Sequence, residues 1–97
     1  LSRFVGRALV ALDAVLAAEP PRAILVQGDT STAVAGALAG FYHRIPVGHV
    51  EAGLRSFDLT QPYPEEANRR LITTLARWHY APTADAAATL ANEGVPP

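Results

Sequence analysis

The sequence predicts an α/β fold in which helices flank a parallel sheet. Short apolar segments have the length of strands and lack the polar–apolar alternation of a sheet with one solvated face. Longer segments with apolar residues at helical spacing precede, separate and follow them. Such alternation is typical of parallel sheets joined by crossover helices. At 97 residues, the chain makes one small domain or part of a larger one.

The chain begins with a helix and a strand. Helical spacing over Phe4–Leu16 predicts one buried stripe, which comprises Phe4, Val5, Ala8, Leu9, Leu12, Val15 and Leu16. Pro20 and Pro21 end this helix, because proline lacks a backbone donor and disfavours helical geometry in the residue before it. Ala23–Val26 then predicts a strand buried on both faces.

A second helix and a second strand follow Gly28-Asp29. The helix is predicted over Ser31–Tyr42, where alanines and glycines allow close packing on a sheet. The strand is predicted over Ile45–Val50, and Glu51-Ala52-Gly53 closes it. The next segment, Leu54–Tyr63, has no periodicity and is predicted to be a loop.

The last third of the chain repeats the alternation. Pro64 at a helix start predicts a helix over Pro64–Arg77. Trp78–Ala81 is predicted to be the third strand. Pro82-Thr83 caps a final helix over Ala84–Asn92, which Gly94 ends.

Composition excludes several classes of function. A net charge of -1 gives no electrostatic signature of a nucleic-acid or membrane-surface protein. No cysteine is present for a disulfide, a thiol nucleophile or a thiolate metal site. No apolar run approaches the roughly 20 residues needed to span a bilayer. We therefore expect a cytoplasmic protein that binds neither nucleic acid nor membranes.

Three acidic residues are predicted to meet at one edge of the sheet. Asp29 directly follows the first strand, and Glu51 directly follows the second. Ligands of open parallel sheets bind beyond the carboxyl ends of the strands, so both acids are expected above one crevice. Glu65 begins the helix to which the following loop leads. Three carboxyl groups in one crevice could move protons to and from carbon and a leaving oxygen.

Structural explanations compete with catalysis for these acids. Asp29 could be the N-cap of the helix that follows it. Glu65 and Glu66 could simply complement the dipole of their own helix. Glu51 is harder to explain structurally, because it lies between a buried strand and Ala-Gly.

Four further side chains are candidates for contact with a ligand. Arg55, Arg69 and Arg70 could meet phosphate, although exposed helix arginines usually meet water. His49 shares a strand face with Glu51. That pair could bind a metal, but no third ligand has convincing spacing, so no metal site is predicted. The phosphate-binding lysine and glycine patterns of common nucleotide folds are absent from the sequence.

Three sequence blocks resemble the UDP-N-acetylglucosamine 2-epimerases. They are Val26-Gln27-Gly28-Asp29-Thr30, then the run from Phe41 through His49-Val50-Glu51-Ala52-Gly53-Leu54-Arg55, then Pro62-Tyr63-Pro64-Glu65-Glu66-Ala67-Asn68-Arg69-Arg70. Order and spacing both match over roughly residues 24–94. The resemblance implies a Rossmann-like sheet that is part of a glycosyltransferase-B-like two-domain fold. It also implies interconversion of UDP-N-acetylglucosamine and UDP-N-acetylmannosamine without a cofactor.

The resemblance assigns roles to the candidate residues. The family's catalytic acids fall on Asp29, Glu51 and Glu65, and the expected substrate contacts are Arg55, Arg69 and His49. UDP is eliminated to give 2-acetamidoglucal and is then added back, usually for cell-envelope polysaccharide synthesis. We expect a homodimer, because relatives are commonly dimeric and an unpaired edge strand favours association.

Three other functions compete with this assignment. A hydrolysing epimerase would release UDP and free N-acetylmannosamine, but the Glu-Ala-Gly-Leu-Arg and Glu-Glu-Ala-Asn-Arg blocks favour the non-hydrolysing branch. A non-catalytic nucleotide-sugar domain and a glycosyltransferase are the others.

The sequence lacks methionine and begins within a helical pattern. We therefore expect residues 1–97 to be a fragment of the N-terminal Rossmann-like domain, without its first strands or the C-terminal domain, and inactive by itself.

Overall fold

The computed structural model describes residues 1–96 and contains the seven predicted elements in the predicted order. The helices are α1 (Ser2–Ala18), α2 (Ser31–Tyr42), α3 (Glu65–Leu75) and α4 (Ala84–Asn92). The strands are β1 (Ile24–Gln27), β2 (Val47–Val50) and β3 (Trp78–Tyr80). The three strands form a parallel sheet in the order β1-β2-β3. The predicted α/β class is confirmed.

The core lies between one face of the sheet and helices α2 and α3. Its buried members are Val26, Ala33, Val34, Ala37, Val47 and Ile72. A Cβ on Gly40 of α2 would lie 2.9 Å from side-chain atoms of both Ile24 and Val47. The glycine therefore lets this helix approach the two strands more closely than any other residue would. A second cluster of Leu16, Ala39 and Ile45 joins α1 to α2.

Two predictions about burial are wrong. In α1, only Leu16 is buried, whereas Phe4 is 48% exposed and Val15 is 61% exposed. The helix packs on α2 along a narrower line of Leu9, Leu12 and Leu16, so Phe4 and Val15 of the predicted stripe lie outside the contact. In β1, Leu25 is 65% exposed, because α2 and α3 pack on the opposite face of the sheet.

Threonines cap two of the helices; Thr83 was predicted as the cap of α4, whereas the candidate predicted for α2 was Asp29. Thr30 accepts a hydrogen bond from the backbone N–H of Ala33, and Thr83 accepts one from Ala86, as N-cap hydroxyls do. Gly94 ends α4 with a φ of +85°. Within residues 1–96, no helix combines the length and hydrophobicity needed to cross a membrane.

Candidate functional site

Asp29 and Glu51 lie at the same edge of the sheet. β1 ends at Gln27 and β2 ends at Val50, and these two residues are partners in the parallel register. Gly28-Asp29 continues from the first strand, and Glu51 continues from the second. A Cβ added to Gly28 would lie 4.0 Å from Oε2 of Glu51, so the Glu51 carboxylate lies beside the residue that precedes Asp29.

Asp29 is held by two consecutive residues of α3. Nδ2 of the buried Asn68 donates to the Asp29 carbonyl at 2.9 Å. Nη1 of Arg69 lies 3.3 Å from Oδ2 of Asp29. The N-cap of α2 is Thr30, so the capping explanation for Asp29 is excluded. The Asp29 side chain keeps 32% exposure and is open to a ligand.

Glu51 adopts an unusual backbone conformation. Its φ is +67°, in the left-handed region that non-glycine residues rarely occupy. Its exposed carboxylate accepts a hydrogen bond of 2.7 Å from Nε2 of Gln27. Non-glycine residues in this region persist where surrounding contacts hold them, and they cluster at functional sites. The conformation and the hydrogen bond together fix Glu51 at the sheet edge.

Glu65 is the first residue of α3 and is half-buried. Residues three and four positions apart share a face of a helix, so Glu65 lies one turn before Asn68 and Arg69. Those are the two residues that contact Asp29. The structure therefore brings Asp29 and Glu51 to one edge of the sheet and places Glu65 on the helix that contacts Asp29, and the meeting of all three carboxyl groups stays a prediction.

Glu66, the neighbour of Glu65, is fully buried. Its carboxylate accepts hydrogen bonds from the backbone N–H groups of Ser56 and Phe57 and from Nε of Arg69. Burial by itself raises the pKa of Glu66, but these hydrogen bonds, with the charge of Arg69, leave the pKa below its ordinary value. The carboxylate is ionised at neutral pH and fastens the loop after β2 to α3.

His49 is fully buried beneath the loop that carries Asp29. Its Nε2 lies 2.8 Å from the carbonyl oxygen of Gly28. Since that oxygen can only accept, Nε2 carries the proton. Burial lowers the pKa of His49, and it also lowers the pKa of His79 on the adjacent strand. His49 supports the Gly28-Asp29 turn from inside the protein.

Arg55 bonds to residues of α3 and the end of α4 and not to the candidate acids. Its side chain is 1% exposed and pairs with Glu93 at the end of α4, with Nη2 to Oε1 at 2.9 Å. The same nitrogen donates to Thr73 of α3. In this arrangement Arg55 joins the loop after β2 to two helices. Direct contact of substrate with His49 or Arg55 stays a prediction.

Gln27, Glu66 and Asn68 were not singled out as candidates, although the structure gives each a contact in the site. All three lie within the sequence blocks that resemble the family. Asn68 could have been found, since it lies three residues after Glu65 and therefore on its face. Within residues 1–96, no group of three or more histidine, aspartate or glutamate side chains is arranged to hold a metal ion.

The fold and the site define an α/β domain with acidic groups at the carboxyl edge of its parallel sheet. The sequence model of one family, UDP-N-acetylglucosamine 2-epimerase, matches residues 1–97. This chain belongs to the UDP-N-acetylglucosamine 2-epimerase family.

Similar proteins agree in sequence and in structure. A UDP-N-acetylglucosamine 2-epimerase from Yersinia pestis is 54% identical over 96 residues, which cover 99% of this chain and 26% of that protein. The crystal structure of the Neisseria meningitidis UDP-GlcNAc 2-epimerase bound to UDP-GlcNAc matches 98% of this chain and 26% of its own, with a TM-score of 0.96 and 47% identity. The Methanocaldococcus jannaschii enzyme in complex with UDP-GlcNAc and UDP matches 95% of this chain and 25% of its own, with a TM-score of 0.90 and 44% identity.

These matches confirm the predicted fold class, a Rossmann-like sheet that is part of a glycosyltransferase-B-like fold. The chain spans about a quarter of the length of the relatives that it matches.

Proposed function

We propose that this chain supplies part of the active site of an enzyme that interconverts UDP-N-acetylglucosamine and UDP-N-acetylmannosamine. Membership of the epimerase family supports the reaction, and two similar enzymes are known with UDP-GlcNAc bound. Within the whole protein, residues 1–97 form part of the N-terminal Rossmann-like domain.

The observation that carries the proposal is the position of two candidate acids at one edge of the sheet, with the third on the helix whose Arg69 reaches Asp29. Asp29 and Glu51 follow adjacent parallel strands, and Glu65 lies one turn before Arg69 on α3. Arg69 reaches Asp29 and adds one positive charge to this acidic region. Groups that can accept and donate protons are thus combined with a cation that suits a diphosphate.

The chemistry requires more than one acid. A carboxylate takes the proton from C2 while the C1–O bond breaks, so that UDP departs as the anion and 2-acetamidoglucal forms. In the return step a UDP oxygen bonds to C1, and a carboxylic acid delivers a proton to the opposite face of C2. One carboxyl group cannot serve both faces of the sugar. We assign these steps jointly to Asp29, Glu51 and Glu65.

A chimaera tests the proposal with this chain's own residues. The chain replaces the matched 96 residues of the Yersinia pestis relative, and UDP-GlcNAc is supplied in deuterium oxide. We expect UDP-N-acetylmannosamine with deuterium at C2. Free N-acetylmannosamine would indicate the hydrolysing reaction instead. Binding of UDP-GlcNAc without deuterium incorporation would indicate a non-catalytic domain, and either outcome contradicts the proposal.

Three variants of the chimaera test the assignment of the acids. Asp29→Asn, Glu51→Gln and Glu65→Gln should each lower turnover by roughly 10²–10⁴-fold, the usual loss when a general acid or base is removed. Asp13→Asn is the matched control, because Asp13 is 73% exposed on α1 and pairs with His43. Homodimerisation and a cytoplasmic location stay predictions.

A further inference from the structure

Glu66 is a charged side chain with no exposure to solvent and no part in the proposed chemistry. A buried carboxylate is costly unless it is paired and hydrogen-bonded. Oε1 accepts from the Ser56 N–H at 2.9 Å and from Nε of Arg69 at 2.7 Å, and Oε2 accepts from the Phe57 N–H at 2.9 Å. The carboxylate therefore joins a loop, a helix and a guanidinium group at one point.

The bond to Arg69 determines where its guanidinium group can lie. Glu66 and Arg69 are three positions apart on α3, and the short bond from Nε orients the guanidinium plane. In that orientation Nη1 is 3.3 Å from Oδ2 of Asp29. The contact with Asp29 is the longer of the two and involves a partly exposed carboxylate. The bond to the buried Glu66 is thus the stronger constraint on Arg69.

We propose that Glu66 is a positioning residue, which holds the Arg69 guanidinium against Asp29 so that this carboxylate meets the substrate in one orientation. The inference rests on the proposed function, since it assigns Asp29 to proton transfer. Asn68, on the same helix, donates a hydrogen bond to the Asp29 carbonyl. Residues of α3 therefore contact both the backbone and the side chain of Asp29.

A purely structural role would act through the loop instead. The same carboxylate fixes Ser56 and Phe57, so its loss could disturb the segment after β2 without involving Arg69. Asp58→Asn provides the matched control for that effect. Asp58 is exposed in the same loop and bonds to the Thr60 N–H and hydroxyl, but it does not contact Arg69.

The experiment combines kinetics of the chimaera with a double-mutant cycle. Glu66→Gln should lower kcat by roughly 10–100-fold, because small displacements of reacting groups cost about that much. In an Arg69→Lys background the same substitution should cost less than about twofold, since its effect passes through Arg69. An equal loss in both backgrounds would overturn the proposal, because it would show that Glu66 acts through the loop. Asp58→Asn should keep kcat within about twofold of the parent.

A crystal structure of the Glu66→Gln chimaera tests the positioning without relying on turnover. We expect Nη1 of Arg69 to lie more than 4 Å from Oδ2 of Asp29, and an unchanged contact would refute the inference. Glu66→Asp is the second variant if the glutamine variant does not fold. It keeps the charge but withdraws it by one methylene, so the same separation and an intermediate loss of kcat are expected. The parent chimaera could be inactive while Glu66→Gln still separates Arg69 from Asp29. That result would refute the proposed function and leave the positioning role of Glu66 standing.

Discussion

The side-chain amide of Gln27 donates a hydrogen bond to the carboxylate of Glu51 across 2.7 Å. This bond joins the end of β1 to the residue that follows β2. Gln27 and Val50 are register partners, so Gln27 bonds to the residue that directly follows its own partner. Glu51 therefore has a fixed partner although it is exposed to solvent.

Removing this donor should impair turnover and leave folding intact. In the chimaera, Gln27→Leu should lower kcat by about tenfold, because the Glu51 carboxylate loses the group that orients it. Its melting temperature should stay close to that of the parent, since Gln27 is exposed. In a Glu51→Gln background, Gln27→Leu should have no further effect on kcat. Full kcat in the single variant would show that the hydrogen bond does not matter for the reaction.

The left-handed conformation of Glu51 predicts a separation of stability from activity. A non-glycine residue at positive φ is strained by about 1–2 kcal/mol, part of which glycine would recover. Glu51→Gly should therefore be at least as stable as the parent in urea unfolding, while its turnover in the chimaera falls by roughly 10²–10⁴-fold. Arg44→Gly is the matched control. The φ of Arg44 is +59°, and Arg44 precedes β2. Arg44→Gly should therefore change the free energy of unfolding in the same direction as Glu51→Gly, while the turnover of the chimaera stays at the parent level.

The buried His49 and the half-buried His79 predict a stability that falls in mild acid. The pKa values of His49 and His79 lie below the ordinary 6.5, so the folded state binds protons at both positions less readily than the unfolded chain does. As the pH falls from 7 towards 5, the unfolded chain therefore takes up more protons there than the folded chain does. The free energy of unfolding should therefore decrease, by at most about 1.4 kcal/mol per pH unit for each histidine.

Urea unfolding of the chain at a series of pH values measures this effect. His79→Gln should reduce the dependence on pH between 7 and 5 by removing one of the two groups. The carboxylate of Glu66 does not interfere, since its pKa is lowered from 4.5 and it loses its contribution only in stronger acid. A free energy of unfolding that is flat over this range would contradict the burial of neutral imidazoles.

The contact between α4 and the turn after Glu51 depends on a glycine. A Cβ on Gly53 would lie 2.4 Å from the carbonyl oxygen of Ala86, and the φ of Gly53 is +91°. Gly53→Ala should lower the free energy of unfolding by about 2–3 kcal/mol, because backbone clash and strain act together. Gly6→Ala is the control in α1, where a Cβ meets nothing within 4 Å, and it should gain up to about 1 kcal/mol. Equal effects at the two positions would be inconsistent with this packing.

The placement of Asp29 and Glu51 could be predicted from the sequence because it follows from topology alone. Parallel strands bring their carboxyl ends to one edge, whatever the side chains nearby. Which of Glu65 and Glu66 is buried could not be predicted, since both lie in the first turn of α3. Only the path of the aperiodic loop, which brings Ser56 and Phe57 onto Glu66, shows which carboxylate is buried.

Other features depend on contacts between distant parts of the chain. Arg55 pairs with Glu93, which lies 38 positions later, and no local pattern indicates that pairing. The apolar sequence of β1 suggested burial on both faces, but the exposure of Leu25 depends on which face receives the helices. Local periodicity therefore predicted where each element lies, and tertiary packing determined which side of it is covered.

The attachment of Ser56 and Phe57 to Glu66 divides the connection between β2 and α3 into two parts with different tolerance of change. The part from Glu51 to Phe57 is fixed at both ends and carries a candidate acid, so insertions there would displace Glu51. The part between Asp58 and Gln61 is closed by a hydrogen bond from the Gln61 N–H to the Asp58 carbonyl. Lengthening that outer part costs chain entropy of only about 0.6 kcal/mol per doubling. Variation in length within the family should therefore be confined to the outer part.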